Sequence, residues 1–235
     1  MTTSGTAAFN LDINEIIEEA YERCGVEVRT GYEMRTARRS LNLLTIEWSN
    51  RGINLWTIEQ GTIPMVQGTA TYDVPVDTID LLDHVIRTGT GSNQSDINIS
   101  RISVSTYATI PNKNSQGRPI QVWLDRQSGA TESSGIAYPQ INVWPTPDQS
   151  DLYTFVYWRL RRIQDAGTGD TTQDIPFRML NCLVAGLAYY LSMKIPEAMN
   201  RIEMLKMAYE EQWMMASSED REKAALRLAP RELFY

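Results

Sequence analysis

The spacing of hydrophobic side chains along this chain changes twice, from a helical period to a strand period and back to a helical one. Apolar residues first recur three and four positions apart, in segments 12–24 and 32–50. Such spacing places them on one face of a helix. We therefore predict two amphipathic helices, which end at Gly25 and Gly52. The predicted buried positions are Ile13, Ile16, Ile17, Ala20, Tyr21, Cys24, Met34, Ala37, Leu41, Leu44 and Trp48.

Alternation of apolar and polar residues dominates the middle of the chain and is typical of β-strands. Segments 55–65 and 69–74 are predicted to form a hairpin that turns at Gln67 and Gly68. Because proline lacks an amide donor, Pro64 indicates an edge strand or a break there. Further strands are predicted at 78–88, 97–102, 120–126, 140–144 and 152–160. Segment 152–160 has aromatic residues on both faces, as a central strand requires.

Helical spacing returns after residue 174. A third helix is predicted to start near Pro176, with its buried stripe at Phe177, Leu180, Val184, Leu187 and Leu191. Pro196 opens a fourth helix, whose apolar positions include Met199, Ile202, Leu205, Tyr209 and Trp213. Further methionines lie around this helix at positions 204, 207, 214 and 215. A helix that is apolar on several sides is usually buried on several sides, by its own fold or by another subunit.

These patterns predict an α+β fold. The terminal helices would form a four-helix bundle, and the centre would form an antiparallel β-sandwich or barrel-like domain. The predicted boundaries are 1–53 and 166–216 for the helices, 54–165 for the β domain and 217–235 for an extended C-terminal tail.

The tail carries large apolar residues, which are candidate anchors for a partner protein. They are Leu226, Leu228, Leu233, Phe234 and Tyr235. The other interpretation, in which the tail folds back on its own domain, stays open.

Charge and titratable residues argue against several classes of protein. The net charge of −7 and a pI of about 4.9 do not suit a protein that coats duplex DNA, which normally shows a basic stripe. Arg35, Arg38 and Arg39 could contact phosphate, but we interpret them as a solvated helix face with salt bridges to the acidic first helix. Cys24 and Cys182 are predicted to be buried apolar side chains.

No catalytic constellation is recognisable. His84 follows Asp83, but no placed nucleophile accompanies this pair, so we interpret the histidine as structural. We predict neither an enzyme nor a metal or cofactor site. No apolar run approaches the roughly 18 residues of a membrane span.

Segment 48–75 links the second helix to the first predicted strands. Trp48 and Trp56 flank this joint and are predicted to pack against it, and Tyr72 lies in the returning strand. The alternative, an aromatic platform for nucleic-acid bases, would require basic residues between the aromatic ones, and these are missing.

The order of helices, hairpin, sheet, helices and tail resembles the head-to-tail adaptor proteins, also called connector or gateway proteins, of short-tailed bacteriophages. The segments that carry this resemblance are 48–52, 55–61, 68–75 and 78–82, together with the placement of the C-terminal helices from Pro176. It covers most of the chain. The loops 89–95 and 127–135 have no clear meaning in the family.

The resemblance implies a ring, usually of twelve copies, docked beneath the portal protein and above a tail nozzle or tail tube protein. The helices would line the DNA channel, and the ring would help to retain and pass the genome. Double-stranded DNA would pass without sequence-specific binding, and tail fibres are a further candidate partner. The five apolar tail residues would bind the portal, and Trp48, Trp56 and Tyr72 would fix the joint for assembly. We expect assembly in the host cytoplasm and a final location in the virion, with no membrane contact.

The competing hypothesis is a monomeric, β-rich module of a phage tail that binds carbohydrate or a partner. Trp123, Trp144 and Trp158 would form its binding surface. It does not explain the helices at the two ends of the chain.

Overall fold

The computed structural model describes residues 3–52, 55–127, 129–132 and 135–220, and it divides the chain into two compact units. The helical unit comprises the residues up to Trp56 and those from Ile163 onwards, and the β unit is Thr57–Arg162. The fold is therefore mixed α+β, as predicted. The described α-helices are α1 (Ile13–Cys24), α2 (Gly31–Arg51), α3 (Val104–Ala108), α4 (Leu180–Ser192) and α5 (Ile202–Glu219). Short 3₁₀ turns lie at Leu55–Thr57, Gly91–Asn93, Phe177–Met179 and Pro196–Arg201.

Local sequence signals fix the ends of α1 and α2. The side chain of Asp12 accepts a hydrogen bond from the Glu15 amide, and the Glu15 side chain accepts one from the Asp12 amide. Thr30 and Glu33 form the same capping box at the start of α2. The predicted stops are confirmed, since Gly25 and Gly52 adopt left-handed conformations with φ of 84° and 79°.

The core of the helical unit surrounds α4, which contacts α1, α2 and α5. The predicted buried faces of α1 and α2 are confirmed, apart from the partly buried Met34. Gly186 on α4 allows a close approach, because a Cβ atom there would lie 2.9 Å from both Leu44 Cδ2 and Tyr209 Cε2. No described helix combines the length and apolar character of a membrane span.

The predicted buried stripe of the third helix is wrong at one residue, Phe177. Phe177 is 79% exposed, whereas Leu180, Val184, Leu187 and Leu191 are buried. Phe177 lies in the 3₁₀ turn before α4, so the helical spacing that projects it onto the buried face does not apply there.

The β unit contains two four-stranded sheets and a two-stranded hairpin. Its strands are β1 (Ile58–Pro64), β2 (Thr71–Asp73), β3 (Thr78–Thr88), β4 (Ser95–Asn98), β5 (Ser100–Arg101), β6 (Gln121–Asp125), β7 (Thr131–Glu132), β8 (Gly135–Ile136), β9 (Gln140–Trp144) and β10 (Tyr153–Arg161). The orders are β1-β10-β3-β4 and β2-β9-β6-β5, with β7 paired to β8. Strand β10 is central, as predicted.

The predicted hairpin of segments 55–65 and 69–74 is wrong. Strand β1 pairs with β10, whereas β2 pairs with β9 in the other sheet. The predicted turn at Gln67 and Gly68 is present, since the Thr69 amide donates to the Val66 carbonyl at 3.1 Å, but it leads into the other sheet. In this connection Met65 is fully buried and the amide of Gly68 donates to the carbonyl of Pro147. Strand β1 is an edge strand that ends at Pro64, where the missing amide donor is tolerated.

Segment 97–102 is not one strand. Its first part belongs to β4, which pairs with β3, and its last part is β5, which pairs with β6 in parallel. The chain therefore moves from one sheet to the other at this point, and the β unit is not purely antiparallel. Both strand orders are open, so the described strands form no closed barrel. One apolar cluster combines side chains of both sheets, including Ile86, Phe155, Ile141 and Val143.

Candidate interaction surfaces

An aromatic cluster connects α2 and α5 inside the helical unit. Trp48 is fully buried, and its indole N–H donates to the hydroxyl of Tyr209 at 3.0 Å. The ring of Trp213 lies 5.5 Å from that of Trp48, and the guanidinium of Arg51 lies 4.6 Å from the Trp213 ring centre. Packing, a hydrogen bond and a cation–π contact together fix the two helices against each other.

The other two joint residues, Trp56 and Tyr72, are not part of this aromatic cluster between α2 and α5. The indole N–H of Trp56 donates to the carbonyl of Asp174 at 3.0 Å within the helical unit. Tyr72 belongs to the β unit, where its hydroxyl accepts from the Val66 amide at 3.0 Å and braces the segment between β1 and β2. Trp56 thus packs against the same core as Trp48, Tyr72 packs against the core of the β unit, and the role of the three residues in assembly stays a prediction. The predicted portal-binding residues Leu226, Leu228, Leu233, Phe234 and Tyr235 lie outside the described residues.

A second apolar face of α5 points to solvent. One side of this helix is buried through Leu205, Tyr209 and Ala216. The other side, which we call the methionine surface, consists of Met204, Met207, Ala208, Glu210, Glu211, Met214 and Met215. Its four methionines are between 55% and 73% exposed. Contiguous exposed apolar side chains of this kind mark interaction sites.

The outer face of α2 carries both apolar and positively charged side chains. Tyr32, Arg35, Arg39, Leu43 and Ile46 recur three and four residues apart and are exposed, and we call them the arginine stripe. The predicted salt bridges to α1 are not formed, since within the described residues none of Arg35, Arg38 and Arg39 contacts a carboxylate. Burial lowers the pKa of Lys194, and the nearby charge of Arg39 lowers it further. This part of the unit therefore holds uncompensated positive charge.

The family model that matches this sequence is that of the SU10 adaptor protein, over residues 13–231. The match includes both helical segments and the whole β unit. The chain belongs to the SU10 adaptor family. Among curated proteins, none matches it. Membership confirms the resemblance to phage head-to-tail adaptor proteins and indicates a structural adaptor role, which places the protein in the virion.

The arginines at the end of β10 form ion pairs within the β unit. Arg159 is 8% exposed and contacts Asp77 at 2.6 Å and Glu59 at 2.8 Å. Arg161 contacts the same Glu59 at 2.6 Å. Burial lowers the pKa of Arg159, but its two carboxylate partners raise it by more. These arginines are held in an ion-pair network and are not presented to phosphate.

The two cysteines, and the three tryptophans named in the competing hypothesis, also have interactions that stabilise the fold. Burial raises the pKa of Cys24 to about 11 and that of Cys182 to about 12, so both thiols stay protonated at neutral pH. Trp123 stacks on Tyr107 with ring centres 5.2 Å apart, and Trp144 donates to the Asn112 carbonyl. Trp158 lies in the other sheet, so these tryptophans form no shared platform.

His84 is buried, and its surroundings disfavour the protonated, positively charged ring. It is 8% exposed and stacks on Phe155, and neither ring nitrogen makes a well-aligned hydrogen bond within the described residues, although the Ile99 backbone lies beside the ring. Burial lowers its pKa and Arg101 adds to this, while Asp83 opposes both. The Asp83 side chain accepts from the His84 main-chain amide, so the two side chains do not form a catalytic dyad.

The β unit should therefore lose stability in mild acid. The unfolded chain takes up a proton on His84 near pH 6.5, whereas the folded chain does so only at lower pH. Stability present above this range is lost as the pH falls, with a slope of at most about 1.4 kcal/mol per pH unit. Urea unfolding at pH values from 7.5 to 5 measures it. Because His84 is the only histidine, His84→Phe should remove most of this dependence, and an unchanged slope in that variant would contradict the assignment.

Proposed function

We propose that this protein forms a ring that joins the phage portal to the tail nozzle or tail tube. Twelve copies would surround the DNA channel, with the helical unit as a four-helix bundle along the channel and the β unit as a sandwich that presents attachment sites for the tail. The ring would help to retain the packaged genome and pass it during ejection. The observation that carries this proposal is the methionine surface of α5 in a member of an adaptor family.

The methionine surface supports assembly because α5 is already packed on its opposite side. Leu205 and Tyr209 bury that side within the unit, so the exposed methionines are not needed for the core. Permanent subunit contacts are more apolar than ordinary surfaces and often exceed about 2,000 Å² in total. A second apolar face on a rigid helix is well suited to supply part of such a contact.

The charge of the chain agrees with a channel through which DNA slides. The net charge is −7, and like charges reduce adhesion between a protein wall and phosphates. In this proposal double-stranded DNA passes without sequence-specific contact, which requires no base-reading residues. Assembly would take place in the host cytoplasm before the ring joins the virion.

Electron microscopy tests the proposal directly. The protein is imaged alone and after mixing with the portal protein of the same phage, and light scattering gives its mass. Rings that form alone or on the portal are the expected result. A chain that stays monomeric in both settings, and that is absent from the neck of purified particles, would contradict it.

The apolar end of the tail is proposed to anchor the ring to the portal. Removing residues 229–235 should weaken portal binding at least tenfold, because anchors such as Phe234 and Tyr235 would supply most of the apolar contact. A pull-down with immobilised portal measures binding, and circular dichroism verifies that the two units stay folded. Glu232→Gln, which keeps all apolar tail residues, serves as the control. Undiminished binding of the truncated chain would rule out this role.

A further inference from the structure

We propose that neighbouring copies in the ring meet through an antiparallel contact between the methionine surface of one copy and the arginine stripe of the next. This inference rests on the proposed ring and names the two faces that build it. The partner is therefore a second copy of this chain, bound through its α2 helix.

The two faces are complementary in charge. Glu211 lies in the middle of the methionine surface and is exposed, and within the described residues it has no cationic partner, whereas its neighbour Glu210 pairs with Arg51. Arg39 lies in the arginine stripe without a carboxylate partner and close to Lys194. Each face thus contains an unpaired charge, and the two charges have opposite sign. Opposite charges across a contact select the partner and its orientation.

The two faces are also complementary in apolar content. Leu43 and Ile46 in the arginine stripe are 50% and 43% exposed. They are large aliphatic side chains on the outer side of a helix, where the described residues of the chain do not cover them. Methionine adapts its unbranched side chain to such irregular surfaces, and the aliphatic stem of an arginine packs on apolar groups while its head stays polar.

The spacing of these residues favours an antiparallel alignment of α5 in one copy with α2 in the next. From Glu211 towards the start of α5, the methionines of the methionine surface are Met207 and Met204, four and then three residues away. From Arg39 towards the end of α2, Leu43 and Ile46 follow at the same intervals. If the helices run antiparallel with Glu211 opposite Arg39, Met207 therefore lies opposite Leu43 and Met204 opposite Ile46. A parallel alignment with the same central pair would place Met215 opposite Leu43 but Met207 opposite Arg35 and Ser218 opposite Ile46, so it matches fewer apolar side chains.

One chain cannot make this contact with itself. Trp48 on α2 and Tyr209 on α5 meet inside the unit. At about 100° per residue, Glu211 points about 160° away from Tyr209, and Leu43 points about 140° away from Trp48. Both outer faces therefore point away from the shared core. Two different faces that join successive copies make a heterologous contact, which closes into a ring when the rotation between copies allows it.

Charge exchange tests the pairing. Glu211→Arg and Arg39→Glu each place like charges at every contact of the ring, so each variant should assemble at least tenfold more weakly than the native chain. An equimolar mixture of the two variants should assemble again, because alternating copies create native and exchanged contacts in turn. The double variant should also assemble. Native mass spectrometry, alone and on the portal, measures the rings.

Cysteine cross-linking tests the register. Leu43→Cys combined with Met207→Cys should give a ladder of disulfide-linked oligomers under mild oxidation. Ile46→Cys combined with Met215→Cys is the matched control, since in the proposed register these positions are about 16 Å apart along the helices and should not cross-link. Cross-linking of the control pair instead of the test pair would overturn the antiparallel register.

The outcomes separate this inference from the proposed function. Native rings that persist in both single charge variants would overturn the inference and leave the ring proposal intact. Single variants that form normal rings but lose the portal would assign these faces to the portal and also overturn the inference. A native chain that never assembles, alone or on the portal, would remove the ring proposal and the inference together.

Discussion

Replacing Trp48 with alanine is expected to lower the free energy of unfolding of the helical unit by about 3–5 kcal/mol, the usual range for truncating a buried aromatic residue. The side chain is fully buried between α2 and α5, so the change leaves a cavity that the surrounding helices cannot fill completely. It also removes the indole donor to Tyr209, whose hydroxyl then keeps, within the described residues, a 3.4 Å contact with Glu47. Urea unfolding followed by the helical circular dichroism signal measures the loss.

Two further variants show whether burial is the cause. Trp48→Phe keeps most of the ring but lacks the donor, and it should give an intermediate loss. Trp123→Ala removes a tryptophan that is only half-buried on β6, where it stacks on Tyr107, and it should cost clearly less. If Trp48→Ala were no more damaging than Trp123→Ala, the aromatic cluster would not be the main connection between α2 and α5.

The sequence predicts the helices of this fold well because their signals are local. The capping boxes at Asp12 and Thr30, the stops at Gly25 and Gly52 and the buried faces of α1 and α2 all follow from residues within a few positions of each other. Strand β10 is similarly recognisable as central from its aromatic residues on both faces. The segments that carry the family resemblance, such as 48–52 and 55–61, are likewise short and local.

The sequence does not predict which strands pair. Alternation shows that β1 and β2 are strands, but their partners β10 and β9 lie far along the chain. Register depends on the apolar pattern of both strands, and the turn at Gln67 and Gly68 leads into the other sheet instead of joining two paired strands. The crossing of the chain between β4 and β5 has no periodic signal either.

The candidate surfaces were only partly predictable. The excess of methionines around α5 indicated a second buried side, but only the structure shows which methionines are exposed. The salt bridges predicted for Arg35, Arg38 and Arg39 are not formed within the described residues, because a charged side chain chooses its partner by tertiary position, as Arg159 illustrates. Arg159 meets Glu59 across a strand pair and Asp77 before β3, and neither carboxylate is near it in sequence.

Converting Glu59→Gln and Asp77→Asn together is expected to destabilise the β unit by about 3 kcal/mol. Arg159 is almost completely buried, and an arginine cannot lose its proton in a protein, so the double variant leaves a buried cation without an anion. The two carboxylates are 46% and 41% exposed, and water replaces part of their contact, which is why we expect the lower end of the range for buried ion pairs. Urea unfolding followed by the strand signal measures the change.

Removal of the cation distinguishes the ion-pair explanation from simple damage to the fold. Arg159→Met added to the double variant should recover most of the lost stability, because an apolar side chain of similar length leaves no unpaired charge in the interior. Asp96→Asn is the matched control: it breaks the exposed pair with Arg87 on the same sheet and should shift the midpoint little. If the triple variant were as unstable as the double one, the substitutions at residues 59 and 77 would destabilise the β unit by a cause other than the unpaired charge of Arg159. If the double variant were as stable as the native chain, the ion pairs of Arg159 would contribute nothing to folding. Contact with a partner would then be the better explanation of Arg159 and Arg161.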